Sequence, residues 1–211
     1  MGRFLTMLLR TLGGRLLASR HSQVLTLLGA LILAGLGTLN LLQPRATARP
    51  AGQQVHEGAY TLTGKVVRVA DGDTFTLLVD GRQERIRLAS IDAPETTHDR
   101  QQPGQPMAQA SKKALAGLIA GKTLSLACFE HDQYERSVCD VPLGDGTTAN
   151  QKQVAAGMAW ANMQGRGKYM RDARIPELEA HARQARVGLW QDPNPVQPWV
   201  WRYQCWKKAQ C

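Results

Sequence analysis

The chain has 211 residues and a formal net charge of +9. Its length suits one domain with appendages, and the lack of internal repeats excludes a solenoid or propeller. Residues 1–45 carry five arginines and no acid, whereas the rest carries 21 Lys and Arg against 17 Asp and Glu. More than half of the basic surplus is therefore N-terminal, and the overall charge alone does not indicate a nucleic-acid partner.

The N-terminal region predicts a membrane anchor. Residues 24–42 (VLTLLGALILAGLGTLNLL) are uncharged and follow the basic segment 1–23. At about 1.5 Å per residue they nearly span a hydrocarbon core of about 30 Å. The arginine bias places residues 1–23 in the cytoplasm and the rest outside, in a bacterial periplasm or at the cell exterior. A cleaved signal peptide is the alternative, since residues 46–48 read Ala-Thr-Ala.

Residues 43–58 mix Pro, Gly, Gln and Ala without periodicity and predict a linker to a domain at 59–202. β-branched and alternating patterns predict five short strands in that domain. The predicted strands are 61–69, 74–80, 82–91, 122–130 and 137–143. Asp80-Gly81 is a hairpin signal, so the first three strands form a meander.

Three segments have helical periodicity, at 107–121, 149–160 and 175–190. The tail after residue 191 contains too many prolines for a helix, and we expect its aromatic residues to pack on the domain, with 203–211 as its end. Short antiparallel strands with a few helices predict an α+β fold, a five-stranded Greek-key β-barrel of the oligonucleotide-binding type.

The four cysteines, Cys128, Cys139, Cys205 and Cys211, all follow the apolar segment. An even number outside the cytoplasm favours disulfides, and the local pairs Cys128–Cys139 and Cys205–Cys211 each close a short loop. Four free thiols are the alternative. Their spacing does not fit a zinc site.

Two acidic stretches lie at predicted strand ends. DGDT (71–74) follows the first strand and RLASIDAPE (87–95) ends the third. Taken separately, each is typical of an ordinary turn. Because the ends of the first and third strands can approach, we expect Asp73 and Asp92 to offer hard oxygen ligands to Ca²⁺, with a backbone carbonyl and waters completing the shell.

Three further side chains suit phosphodiester chemistry. Glu95, fixed by the preceding proline, is placed to orient a water as general base. Arg87 on the third strand and Arg136 in the polar hairpin 132–138 can grip a phosphate and stabilise its growing charge. The basic loop 165–174 has no such partner pattern and reads as a solvated surface.

The stretches DGDTFTLL, RIRLASIDAPET and DQYERSV occur in this order and resemble the staphylococcal nuclease (thermonuclease-like) family. The later segments ELEAHARQARVGLW and PNPVQPWVWR extend the resemblance over about residues 60–202. It implies a Ca²⁺-dependent nuclease that acts on DNA and RNA and leaves 3′-phosphate ends.

The resemblance also implies individual roles. Asp73, Asp92 and the carbonyl of Ala93 match the calcium ligands, and Glu95 matches the general base. Arg87 and Arg136 match the phosphate-binding arginines. Tyr134 falls where the family places a tyrosine against the nucleotide.

Two positions depart from the family pattern. Glu135 replaces a glycine before Arg136, so the hairpin must change if that glycine needs a positive φ. Ala93 replaces a threonine, which removes a hydroxyl but keeps the carbonyl. The alternatives to an enzyme are a nucleic-acid-binding module that has lost turnover and an envelope protein whose acids and arginines only pair with each other.

Overall fold

The computed structural model describes residues 59–211. The predicted basic segment 1–23, membrane helix 24–42 and linker 43–58 lie outside the described residues. Within 59–211, no helix combines the length and the apolar character needed to cross a membrane.

Five strands form a closed barrel in the order β1-β2-β3-β6-β5, with β5 pairing back to β1. The barrel strands are β1 Tyr60–Val69, β2 Thr74–Val79, β3 Arg82–Leu88, β5 Thr123–His131 and β6 Ser137–Asp140. Two short strands, β4 Ile91–Asp92 and β7 Trp160–Ala161, form a separate antiparallel pair. The predicted five-stranded barrel with helices is confirmed.

Local and distant pairings build the barrel together. β2 and β3 meet at the predicted two-residue turn, where Asp80 and Gly81 have φ values of 48° and 79°. Two positive φ values are typical of the hairpin turns that match strand twist. β3 then pairs in parallel with β6, and antiparallel pairing of β5 with β1 closes the barrel.

Helices cover the barrel. They are α1 Ala108–Ile119, α2 Ala149–Ala155, α3 Gln164–Gly167, α4 Ile175–Gln184 and α5 Pro198–Trp201. A 3₁₀ helix spans Gly188–Gln191 and a π-helix spans Arg202–Lys207. Leu115 and Ile119, one turn apart on α1, are fully buried with Phe75 and Ile86 of the barrel. Each such side chain contributes about 1.5–3 kcal/mol through burial.

The third predicted strand is too long. It was expected to run to Ile91, but β3 ends at Leu88 and Ser90 takes a left-handed φ of 68°. The Ser90 hydroxyl accepts hydrogen bonds from the backbone N–H groups of Arg171 and Asp172, which stabilises this turn. The chain therefore leaves the barrel at Ser90 and re-forms as β4.

The second predicted helix is also too long, because α2 ends at Ala155 rather than at residue 160. Gly157 has a φ of 66°, and a Cβ there would lie 2.2 Å from the carbonyl oxygen of Val187. The close approach requires glycine and turns the chain into β7.

The prediction that the tail is not helical is wrong. The last proline, Pro198, occupies the first turn of α5, where its missing N–H costs no hydrogen bond. The tail aromatics pack on the domain as expected, since Trp201 and Trp206 both donate their indole N–H to the Pro103 carbonyl, at 3.0 and 2.9 Å.

The structure contains two disulfides. Cys128 is bonded to Cys139 where the two residues face each other across β5 and β6. Cys205 is bonded to Cys211 at the end of the tail. These are the two local pairings that the sequence favoured.

Candidate active site

The pairing of β2 with β3 places the first acid of the site. Thr74 lies opposite Arg87, and the Leu88 N–H donates to the Asp73 carbonyl at 2.8 Å. The first and third strands are not neighbours in the barrel, because β2 lies between them. Asp73 reaches the end of β3 because it immediately precedes the strand that pairs with β3.

The pairing of β4 with β7 places the second acid. Asp92, opposite Trp160, points back toward β3. The Arg87 guanidinium lies between the two acids, with Nη1 2.6 Å from Asp73 Oδ1 and Nη2 2.7 Å from Asp92 Oδ1. One arginine thus holds both predicted metal ligands side by side.

Asp73 has a dense hydrogen-bond environment. Its Oδ2 accepts the Ala93 N–H at 2.6 Å, and its Oδ1 accepts the Thr74 hydroxyl at 2.9 Å. Burial raises the pKa of Asp73 to about 7. The Arg87 guanidinium opposes this rise, whereas the negative charges of Asp71 and Asp92 add to it.

Asp92 carries a second guanidinium. Arg202, the first residue of the π-helix, donates from Nη2 to Asp92 Oδ2 at 2.8 Å. Although burial opposes ionisation, Arg87 and Arg202 lower the pKa of Asp92. The carboxylates of Asp73 and Asp92 raise the pKa of Arg87, although its burial lowers it.

Glu95 shares Arg202 with Asp92. Arg202 Nη1 donates to Glu95 Oε1, and within residues 59–211 Oε2 accepts no hydrogen bond. Burial raises the pKa of Glu95 above its ordinary value, partly offset by Arg202. The backbone of Glu95 is fixed by Gln105, whose Oε1 accepts the Glu95 N–H at 2.9 Å.

Arg136 lies at the edge of this group. Its Nη2 is 2.6 Å from Asp132 Oδ2, and its Nη1 lies 3.4 Å from the Thr74 hydroxyl. Thr74 in turn contacts Asp73, so Arg136 is one side chain away from the acids.

Glu135 is the departure from the family pattern that lies in the hairpin. Glu135 itself adopts the left-handed conformation, with a φ of 59°, and the turn closes through its N–H to the Asp132 carbonyl at 3.0 Å. Glu135 thus adopts a positive φ without being glycine. Tyr134 is 60% exposed, and Arg136 Cζ lies 5.4 Å from the centre of its ring.

The structure brings most of the sequence-derived residues together. Asp73, Asp92, Ala93, Arg87 and Glu95 form one contiguous group, Arg136 borders it and Tyr134 stands in solvent beside Arg136. The sequence analysis missed Arg202. Its signal was a single cation inside the aromatic run WVWRY, because an arginine packed among apolar side chains needs a carboxylate partner.

The donor set fits a hard cation. Asp73 and Asp92 supply carboxylate oxygens, and the carbonyl of buried Ala93 accepts no hydrogen bond from residues 59–211. Ca²⁺ takes six to eight oxygens, so waters or substrate must complete the shell. In the same part of the chain, no group of three or more His, Cys, Asp or Glu side chains is arranged to hold a metal.

Comparison with known proteins decides the family. The family model described as "Staphylococcal nuclease homologue" matches residues 85–192, half of the chain. The chain belongs to the staphylococcal nuclease family. An uncharacterized endonuclease of Escherichia coli O157:H7 is 41% identical over 140 residues, which are 66% of this chain and 84% of the relative.

Two further relatives agree with this nuclease family. Micrococcal nuclease of Shigella flexneri is 40% identical over 147 residues, covering 66% of this chain and 79% of that protein. Staphylococcal-like nuclease CAN1 of Arabidopsis thaliana is 33% identical over 118 residues, covering 56% and 33%. The predicted enzyme class, a nuclease, is confirmed. The matched region 85–192 contains Arg87, Glu95 and Arg136 but not Arg202.

Proposed function

We propose that this nuclease is a Ca²⁺-dependent phosphodiesterase that cleaves DNA or RNA and leaves 3′-phosphate ends. The observation that carries the proposal is the Arg87 guanidinium bridging Asp73 and Asp92, with Glu95 joined to the same group through Arg202. Three carboxylates share two guanidiniums there, so when all three are ionised the group keeps a surplus negative charge for a cation.

In this proposal Asp73, Asp92 and the Ala93 carbonyl hold the metal. When bound, Ca²⁺ neutralises the attacked phosphate and lowers the cost of forming hydroxide from water. Two carboxylates with hard oxygens favour this ion over softer metals.

Glu95 is the general base. Its carboxylate is mostly buried, which raises its pKa and makes it a better proton acceptor than an exposed glutamate. Oε1 is held by Arg202, whereas Oε2 is free of protein donors within residues 59–211 and can accept the proton of the attacking water.

Arg87 and Arg136 bind the phosphate. A planar guanidinium matches two phosphate oxygens and stabilises the charge that grows on them in the transition state. The Arg136 ion pair with Asp132 is at the edge of the site, so a phosphate that binds Arg136 replaces Asp132 as its partner. Tyr134 beside Arg136 offers a face for a base or sugar.

The test uses the full chain purified from an oxidising compartment and single-stranded DNA. Cleavage is measured in millimolar Ca²⁺, in EDTA, and in Ca²⁺ with the Glu95→Gln variant. Glu177→Gln, an exposed glutamate in the first turn of α4, is the matched control. We expect cleavage with Ca²⁺ for wild type and the control alone, and products that carry 3′-phosphate.

Full cleavage by Glu95→Gln or in EDTA would contradict the mechanism. Retained DNA binding by a folded, Ca²⁺-binding wild-type protein without any cleavage would instead favour the nucleic-acid-binding module. That second function is motivated by Arg136, which already has a carboxylate partner in Asp132.

We also propose that residues 24–42 anchor the nuclease in a membrane, with the domain outside the cytoplasm. The support is the uncharged apolar run after a basic segment, together with the two disulfides, which persist in oxidising compartments. Fractionation of cells separates the possibilities, since an intact chain in the membrane supports anchoring and a soluble chain shortened near residue 48 supports a cleaved signal.

A further inference from the structure

Arg202 is placed to influence two carboxylates at once, and it lies beyond residues 85–192, which match the family model. Its Nη2 donates to Asp92 Oδ2 at 2.8 Å. Its Nη1 donates to Glu95 Oε1 and lies 3.3 Å from Asp92 Oδ1. One rigid fork therefore joins the proposed general base to a proposed metal ligand.

The segment that carries Arg202 is fixed by contacts other than its ion pairs. The indole N–H groups of Trp201 and Trp206 both donate to the Pro103 carbonyl. The Gln105 side-chain amide donates to the Val196 carbonyl at 2.9 Å. The tail is thus docked on the loop after Glu95 even without the guanidinium.

The same loop fixes the backbone of Glu95 but not its carboxylate. Glu95 and Gln105 exchange two hydrogen bonds, from Glu95 N–H to Gln105 Oε1 at 2.9 Å and from Gln105 N–H to the Glu95 carbonyl at 2.8 Å. Within residues 59–211, Arg202 is the donor that contacts the carboxylate itself. The orientation of the side chain therefore depends on Arg202.

We propose that Arg202 is a positioning residue for phosphodiester hydrolysis, holding the Glu95 carboxylate toward the attacking water and Asp92 toward the metal. The inference rests on the roles proposed above for Glu95 and Asp92. A charge-assisted fork with two engaged nitrogens fixes both side chains, which is how partners of metal ligands and bases support them.

The geometry also explains why the residue is an arginine. Its two terminal nitrogens engage two different carboxylates, whereas a lysine ammonium is a single point of charge on a flexible stem. A lysine at this position restores the charge and reaches one carboxylate at a time. Arg202→Lys therefore separates positioning from simple neutralisation of the acids.

The experiment compares Arg202→Ala and Arg202→Lys with wild type and with Arg183→Gln. Arg183 is the matched control because its side chain is 50% exposed and its ion-pair partner is Glu179, which is not one of the site carboxylates. We measure kcat and KM on single-stranded DNA at saturating Ca²⁺, the affinity for Ca²⁺ by calorimetry, and the melting temperature.

We expect Arg202→Ala to lower kcat by about 10- to 100-fold with KM almost unchanged, although the loss of a positive charge next to Asp92 favours Ca²⁺ binding. Arg202→Lys should recover part of the loss, and low-millimolar guanidinium ion should partly restore kcat of Arg202→Ala. Arg183→Gln should match wild type. A residue that only held the tail would instead lower the melting temperature without rescue by guanidinium.

Wild-type kcat in Arg202→Ala would overturn the inference. So would a faster variant, which would make the contact autoinhibitory, or a loss of activity that follows the loss of folded protein and is not rescued. The proposed function fails separately: a fully active Glu95→Gln variant contradicts it whatever Arg202 does, whereas an inactive Glu95→Gln beside a fully active Arg202→Ala contradicts this inference alone.

Discussion

The domain buries two groups of carboxylates and neutralises them by different means. The acids of the proposed active site, called the active-site acids below, are Asp73, Asp92 and Glu95. The amide-held acids are Asp140 and Asp172. Guanidiniums cover the first group, whereas side-chain amides contact both acids of the second: Asn150 Nδ2 lies 3.1 Å from Asp140 Oδ1 and Gln151 Nε2 lies 2.5 Å from Asp172 Oδ2. Asp172 also pairs with Arg174, whose Nε lies 3.4 Å from Asp172 Oδ1.

The two groups differ in how exposed the side chains of their partners are. The side chains of Arg87 and Arg202 are 15% and 31% exposed. From the open side, a phosphate can replace a carboxylate as partner of an arginine, and a cation can replace an arginine as partner of the acids. Asn150 is completely buried, and its amide also bonds the Ala89 and Cys139 carbonyls. We therefore expect the first group to take part in chemistry and the buried Asn150 amide to stabilise the fold.

The largest expected effect tests the active-site acids. Arg87→Gln should lower kcat by about 10²- to 10³-fold, because the transition state loses a charged donor. It should also destabilise the metal-free protein by about 3 kcal/mol, because Asp73 and Asp92 remain buried with less compensation. DNA cleavage rates and thermal unfolding with and without Ca²⁺ measure both effects.

The control for this prediction is Arg82→Gln, an exposed arginine at the start of the same strand. Ca²⁺ should recover part of the stability lost in Arg87→Gln, since it replaces positive charge between the acids. An Arg87→Gln protein with wild-type kcat would remove the distinction between the two groups of acids.

The next largest effect tests the amide-held acids. Asn150→Ala should destabilise the domain by about 2–4 kcal/mol, because it leaves a cavity and orphans the Ala89 carbonyl and the Val141 N–H. Denaturant unfolding measures the loss, and kcat per folded molecule should stay close to wild type. Lys152→Ala, an exposed change on the same helix, should have almost no effect on either, and a selective loss of kcat in Asn150→Ala would break the comparison.

Local sequence patterns predict some parts of the barrel and not others. The strands from β1 to β3 follow from alternation and a two-residue turn, and Arg87 lies on β3 as predicted. The pairing of β3 with β6 and of β5 with β1 depends on contacts between distant segments, which no local pattern encodes.

The site has the same division. Asp92 and Glu95 are neighbours in sequence, so the motif was enough to group them. Arg202 is 107 residues beyond Glu95, and its contact depends on a tail whose helix starts only at its last proline. Asp73 lies near Asp92 as predicted, but the strand that brings it there is β2, which pairs with β3, and not the first strand.

A smaller effect is expected when one amide-held acid loses its charge. Burial and, to a smaller extent, the negative charge of nearby Asp172 raise the pKa of Asp140 to about 7, although Arg174 opposes this rise. The native protein therefore keeps the proton that the unfolded chain releases near its ordinary pKa of 3.8, and stability falls as pH rises from about 4 to 7.

Asp140→Asn removes that penalty and can still accept the hydrogen bond from Asn150. We expect a gain of about 1 kcal/mol or more at pH 8, or about 2–4 °C in melting temperature, and almost none at pH 4. Melting curves across this range give the answer. An equal shift at both pH values would mean that Asp140 is ionised throughout and that its environment resembles that of Asp92.

The smallest effect concerns the hairpin that carries Arg136 to the active-site acids. Glu135 holds a left-handed φ of 59°, which costs a side chain about 1–2 kcal/mol, whereas glycine adopts it freely at a cost of about 0.5–1 kcal/mol in the unfolded state. Glu135→Gly should therefore stabilise the domain by about 0.5 kcal/mol. Removal of an exposed negative charge next to Arg136 should also lower KM for DNA slightly at low salt, and the change should vanish at high salt. A lower melting temperature would mean that the Glu135 side chain stabilises the turn, and a KM change independent of salt would mean that the turn itself repositions Arg136.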